Sequence, residues 1–428
     1  MKRTLLILLV VMCLVTPIFA EGQTEKTSNA GMAKEVNVWC WDPNFNIPVM
    51  EEAASRYEAM HPDVKVIVTE MAKADVEQKI QTILASGTKT GLPDICLVED
   101  YNVQKYVTYY PGQFTDLSMS FNYDNFADYK ESIGIVNSKH YTVPFDSGVT
   151  GFFYRKDMMA KAGYSATDLQ NITWDKFCDI AADYKAKTGH YMFAGDALDG
   201  GFFRVMLQSS GRWYFDKNGD PDILNNEALK EAMKIYKRMI KEDLRMPTDG
   251  WTPWVRAINE GDVASITSGI WIMGSIRAAA DQSGLWDVAP TPRLSFMGSK
   301  NASNLGGSSW MVLENGPAKV TAVDFLKETF GKDVDFYQKI LVEQGAMGSY
   351  IPSLTGASYT ANSAFFNNKP IFKTMAAWST QVPMVNVGLF TYDADTAVMA
   401  NMQAYYNDEI TIDEAIKKID AQLRNAML

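Results

Sequence analysis

The chain has 428 residues, 47% of them hydrophobic and 21% charged, and a formal net charge of -11. That length suggests two or three domains with a large core. The acidic balance argues against nucleic acid and against an anionic membrane surface as partners, because both are held by clustered Lys and Arg.

Met1-Lys2-Arg3 is basic, Leu5 to Val15 is an apolar run too short to span a bilayer, and Ala20 is small. These features predict a signal peptide over residues 1–20, cleaved after Ala20. Losing Lys2 and Arg3 takes the net charge from -11 to -13. Residues 21–33 are polar and predicted to be a disordered tail. No later stretch is long and apolar enough to cross a membrane. Met12 is a poor residue to precede a lipidated cysteine at Cys13, so the mature protein is expected in the periplasm without a lipid anchor. Cys40, Cys96 and Cys178 are odd in number; Cys40 and Cys96 both lie at strand ends and could be neighbours, but buried thiols are expected. His61, His140 and His190 lack ligand spacing, so no metal and no cofactor is expected.

A strand at Val36–Val38 runs into Trp39-Cys40-Trp41-Asp42-Pro43-Asn44-Phe45 and then into a helix with Pro48 in its first turn. Two indoles, a phenyl ring, a carboxylate and an amide thus fall in one strand-to-helix loop. Such planes and polar groups suit a sugar, which has apolar C–H faces and a belt of hydroxyls; the alternative is that Trp39 and Trp41 are core residues at a strand end. Val64, Val66 and Val68 alternate as a second strand. A helix follows, with Asp75 at its start and Gly87 at its end. Asp94 to Val98 reads as a strand buried on both faces, followed directly by Glu99-Asp100-Tyr101. This βαβαβ order makes a parallel sheet, with the opening loop and Glu99-Asp100 at the same edge.

Further strands are predicted at 150–154, 264–270 and 310–313, and helices at 173–189, capped by Thr173, and at 226–242. Trp251 to Trp254 reads as an aromatic cluster in a loop. Beyond Ala318 the chain is mainly helical, apart from an irregular stretch between Gly348 and Ser363.

Four segments in this order carry a resemblance. They are Pro48…Tyr57…His61-Pro62-Asp63-Val64-Lys65-Val66; Gly91-Leu92-Pro93-Asp94-Ile95; Tyr154-Arg155-Lys156-Asp157…Lys161-Ala162-Gly163 with Thr173-Trp174-Asp175; and Glu260-Gly261-Asp262-Val263-Ala264…Gly269-Ile270-Trp271. The chain resembles the extracellular solute-binding proteins, family 1, of ABC sugar importers, the maltose-binding-protein group, and among them the lactose- and arabinose-type members. The resemblance implies an α/β, two-lobed periplasmic-binding-protein fold of type II, with a ligand cleft between lobes joined by hinge segments. The first lobe would comprise residues 34–144 and 310–370, and the second 145–309 and 371–428. Crossings fall near Val143–Asp146, Gly306–Ser308 and Pro370–Trp378. It implies a monomer that binds a carbohydrate, is not an enzyme, and delivers its cargo to ABC permease subunits. Trp271 matches the aromatic that stacks on sugar in family members. By position Trp41, Asp42, Asn44, Phe45, Asp100 and Asp146 face the cleft, and Phe203, Trp213, Ser308 and Tyr392 are further matches. Trp174 and Trp310 are expected in the core.

Each buried sugar hydroxyl must be matched, since an unmatched polar group costs about 1–3 kcal/mol. Carboxylates accept hydroxyl protons in charge-assisted bonds. Covering ~100 Å² of ring C–H surface adds about 2.5 kcal/mol. Micromolar binding needs about 8 kcal/mol, hence several planes and a hydrogen-bond belt. The rival class is an exported glycoside hydrolase, which also combines aromatics with paired carboxylates.

Overall fold

The computed structural model describes residues 33–428 apart from 89, 197 and 198. The expected signal peptide, Cys13 and nearly all of the expected tail lie outside the described residues. Two five-stranded sheets organise the rest. The first begins with β1 (Glu35–Cys40), α1 (Asn46–Met60), β2 (Lys65–Glu70), α2 (Lys73–Ser86), β3 (Ile95–Glu99) and α3 (Asp100–Tyr109). β1 lies between β2 and β3 and is parallel to both. Val36, Val38 and Cys40 alternate into the core, while Ile95 to Val98 are buried on both faces, as their uninterrupted apolar character requires. α1 buries Val49, Met50, Ala53 and Tyr57 against this sheet. α2 ends on Gly87, whose φ of 66° is the left-handed conformation that glycine adopts without strain.

The chain then forms α4 (Asp128–Glu131), a small hairpin of β4 (Ile135–Val136) and β5 (Lys139–His140), and β6 (Val143–Pro144), and passes to the second sheet. There it makes β7 (Thr150–Arg155), α5 (Lys156–Lys161), α6 (Trp174–Thr188), β8 (Tyr191–Asp196), α7 (Gly201–Ser209), α8 (Glu227–Lys241), β9 (Arg245–Thr248), α9 (Trp251–Asn259), β10 (Val263–Gly269) and β11 (Trp286–Pro290). β8, β9 and β10 are mutually parallel in the order β10-β8-β9. Thr173 and Asn226 cap α6 and α8 through their side chains, as expected of such residues. Trp251 and Trp254, expected in a loop, instead open α9; Gly250, at φ 76°, turns the chain into it. β12 (Ser308–Val312) returns to the first sheet and pairs antiparallel with β3 and β6.

Two of the segments that cross between the sheets lie after β6 and before β12. They lie side by side: the Leu305 N–H donates to the Gly148 carbonyl at 2.8 Å, and Val149 bridges Asn304. A side chain at Gly148 could not fit, since its Cβ would lie 2.4 Å from the Leu305 oxygen. After β12, Phe336, Tyr337 and Tyr350 pack with the first sheet's core. Tyr359 and Phe366, within the stretch expected in the first lobe, pack with the second sheet's core, as does the helix Ile371–Ser379. The helices Thr391–Tyr406 and Ile412–Ala426 cover the second sheet's other face.

Trp174 and Trp310 are fully buried, as expected. Cys40, Cys96 and Cys178 are buried free thiols. Cys40 and Cys96 cannot meet because Trp39, not Cys40, is level with Cys96, and the two thiols enter clusters on opposite faces of the sheet. No helix among the described residues is long and apolar enough to cross a membrane.

Candidate functional site

A cavity of about 700 Å³ lies at the carboxyl ends of the parallel strands of both sheets, the usual place for ligands in open α/β sheets. From the first sheet it takes the loop after β1 (Trp41, Asp42, Phe45), the loop after β2 (Glu70 to Lys73) and Glu99 at the end of β3. From the second it takes the ends of β8 and β10, the start of α7, the start of α9 and Trp271; Asp146 and residues 305–308 of the crossings close it.

The indole row stands on one side, while carboxylates come from both: Asp42, Glu70 and Glu99 from the first sheet, and Asp196 and Asp199 from the second. On the second-sheet side, the Trp251 and Trp271 ring centroids are 5.8 Å apart and those of Trp251 and Trp254 5.5 Å apart, a row of three indoles. The Trp271 Nε1–H donates to the Leu305 carbonyl at 2.9 Å, so its one polar atom is used by the crossing and its apolar surface remains. Gly269 makes room for the ring: a Cβ there would lie 2.2 Å from Trp271 Nε1.

The first-sheet side is charged. Asp42 sits at φ 69°, and its Oδ1 accepts the Asn44 N–H at 3.0 Å while its carbonyl accepts from Phe45 and Ile47. It therefore builds the loop as well as lining the cavity. Burial raises its pKa, and the nearby Glu70 adds to the rise. Lys73 is paired with Glu99, and burial lowers its pKa. At the floor, Asp146 Oδ1 accepts the Ser308 N–H at 2.6 Å, and burial pushes its carboxyl up to about 6.

Of the expected contacts, Trp41, Asp42, Phe45, Asp146, Trp271 and Ser308 come together around this cavity. Asn44, Asp100, Phe203, Trp213 and Tyr392 are not among its lining. Asn44 lies on an exposed turn. Asp100 is 1% exposed and holds Lys130, also 1% exposed, at 2.5 Å; Ser309 Oγ donates to its other oxygen at 2.9 Å. Lys130 in turn donates to the Ser308 carbonyl at 2.9 Å. Asp100 thus anchors the crossing from behind, and Glu99 is the member of that pair that faces the cavity. Phe203 is buried in the core, and its neighbour Phe202 lines the site. Trp213 is a core residue whose Nε1–H donates to Thr391 Oγ1 at 2.9 Å. Tyr392 packs behind the wall, edge-on to Tyr101 at 6.0 Å and under the Arg204 guanidinium at 5.2 Å. Glu70, Lys73, Phe202, Arg204, Trp251 and Trp254 were not expected, and between Glu99 and Asp100 the sequence left open which faces the cavity. The i,i+3 spacing of Trp251 and Trp254 on an amphipathic helix start was the available signal for the α9 pair.

A family model of bacterial extracellular solute-binding proteins matches residues 52–374. The chain belongs to that family. It is 48% identical over 395 residues to a lactose-binding protein of Rhizobium radiobacter, covering 92% of this chain and 93% of that one. It is 26% identical over 345 residues to an arabinooligosaccharide-binding protein of Bacillus subtilis, covering 78% and 77%. The ABC transporter associated binding protein from B. animalis subsp. lactis Bl-04, in complex with β-1,6-galactobiose, has the same two-lobed fold, with a TM-score of 0.78 at 22% identity over 92% of this chain and 96% of that one.

Proposed function

We propose that this protein is the substrate-binding component of an ABC-type carbohydrate importer, with a β-galactoside such as lactose as its cargo. The observation that carries the reading is the cavity itself, which sets a row of indoles opposite a wall of carboxylates. The 48% identity to a lactose-binding protein over nearly the full length of both chains favours a galactoside among sugars. Two indoles 5.8 Å apart can each cover one ring of a saccharide, which favours a cargo of two or more units.

In this reading Trp271, Trp251 and Trp41 supply the apolar contact, and Asp42, Glu99, Asp146 and Ser308 supply the hydrogen-bond belt. The lobes are residues 34–144 with 310 to about 350, and 145–309 with the remainder. They rotate about the crossings, where Gly306 and Gly307 have φ values of 64° and 96°. Ligand favours closure because only the closed form offers both walls at once. The protein acts as an exported, periplasmic monomer that hands the sugar to permease subunits. The relatives above are binding proteins, and nothing at the site favours the hydrolase reading.

The test is a thermal-shift screen of the mature protein against lactose, β-1,6-galactobiose, arabino-oligosaccharides and maltose. A ligand at 100 times its Kd adds about 2.7 kcal/mol of stability. A shift with galactosides and no cleavage on long incubation supports the proposal. No shift with any sugar overturns it, and cleaved products would revive the hydrolase.

A further inference from the structure

The charges around the cavity narrow the class of saccharide, on the footing of the sugar-binding reading above. Six carboxylates line it: Asp42, Glu70, Glu99, Asp146, Asp196 and Asp199. The cationic side chains in the lining are Lys73 and Arg204, and both are committed. Lys73 is paired with Glu99 and lies 3.8 Å from Glu77. Arg204 is ion-paired with Asp199 at 3.2 Å and with Asp395 at 3.1 Å. Its guanidinium is covered by the rings of Tyr101 and Tyr392, at 5.5 and 5.2 Å. Recognition of a ligand carboxylate or sulfate uses a free guanidinium fork or ammonium. Lys73 is held by Glu99, and although Arg204 Nε and Nη1 make no hydrogen bond, its charge is met by Asp199 and Asp395, so no cation of the described lining is left uncompensated.

Asp42, Glu70 and Asp146, by contrast, have no Lys or Arg within ion-pair distance among the described residues. They can accept hydroxyl protons, but they offer an anion only like charge in a partly desolvated site, which is an effective means of rejection. We infer that the cavity admits uncharged saccharides and excludes anionic ones bearing uronate, sialate, sulfate or phosphate groups. This exclusion comes from the carboxylate wall, not from the shape of the aromatic one.

The experiment uses pairs that differ in charge but little in shape. Calorimetry on the mature chain would compare lactose oxidised at the galactose C6 to the uronate with the matching uronamide, and digalacturonate with its diamide. Unmodified lactose and 3′-sialyllactose are run beside them. Each acid is expected to bind at least about 100-fold more weakly than its uncharged counterpart. The gap is expected to narrow by about tenfold in the double variant Asp42→Asn, Glu70→Gln. An anionic probe that binds within tenfold of lactose overturns the inference, as does a gap unchanged in the double variant. If no neutral sugar binds at all, it is the saccharide reading that fails.

Discussion

The two walls of the cavity differ in what they are made of and in how they are held. The second-sheet wall carries the indole row beside Asp196, Asp199 and Arg204, and its indoles rest on backbone: Trp271 donates to Leu305, and Trp254 to Ala194 at 3.3 Å. The first-sheet wall is ionic, and its groups hold one another, with Lys73 on Glu99 and Asp42 on its own loop. Behind that wall, the Asp100–Lys130 pair ties α3, α4 and β12 together without reaching the ligand space. The difference separates roles that look alike in sequence. An Asp at a strand end can be a ligand contact, as proposed for Asp146, or a buried post, as Asp100 is.

Substitutions can break this division, and the largest effect belongs to the post. Lys130→Met leaves Asp100 buried and unpaired, which costs about 3–5 kcal/mol. Denaturant melts should register that loss, while the folded fraction keeps its sugar affinity within a few-fold. A large loss of affinity at full stability would make Asp100 part of the site after all. Trp271→Ala should show the opposite signature. Removing one stacking plane and its packing costs about 2–3 kcal/mol of binding, or roughly 100-fold in Kd by calorimetry, with thermal stability changed little.

Asp146 is expected to register in pH. Burial raises its native carboxyl from 3.8 to about 6, so the native state binds its proton more tightly than the unfolded state does. Its stabilising contribution is complete below pH 3.8 and is lost as pH rises through about 6. Asp146→Asn should flatten the fall in stability between those values by on the order of 3 kcal/mol, measured by urea unfolding at a series of pH values. The smallest effect is expected at Trp251. It is 45% exposed at the edge of the row, so Trp251→Ala should weaken an oligosaccharide by about tenfold or less and a monosaccharide hardly at all. Equal losses for both sugars would remove the idea of a second ring on this wall.

Much of the fold was legible because strand and helix periods leave clear marks. Val36/Val38, Val64/Val66/Val68 and the run Ile95–Val98 gave the parallel sheet, and Gly87, Thr173 and Asn226 gave helix ends. Trp41, Asp42 and Trp271 could be read because they sit at strand ends that topology brings to one edge. Three kinds of placement were not legible. Asp100 depends on Lys130, a partner thirty positions away whose approach no local pattern encodes. Phe202 and Phe203 exchange roles with a single step in where α7 begins, and the glycines before it leave that step open. Trp213 and Trp251 occupy similar aromatic clusters, yet one is 1% exposed and the other 45%, because burial is set by what packs on top.

In the proposed binding mode, the indole row and the carboxylates opposite it grip one saccharide between them. The most direct measurement is a calorimetric titration of lactose into the wild-type protein and into Trp271→Ala, side by side and at several temperatures. The expected result is Kd in the micromolar range or tighter for the wild type, with a negative heat-capacity change from the buried ring faces, and a folded variant binding about 100-fold more weakly. Equal affinity in the two folded proteins would place the sugar elsewhere and contradict the account.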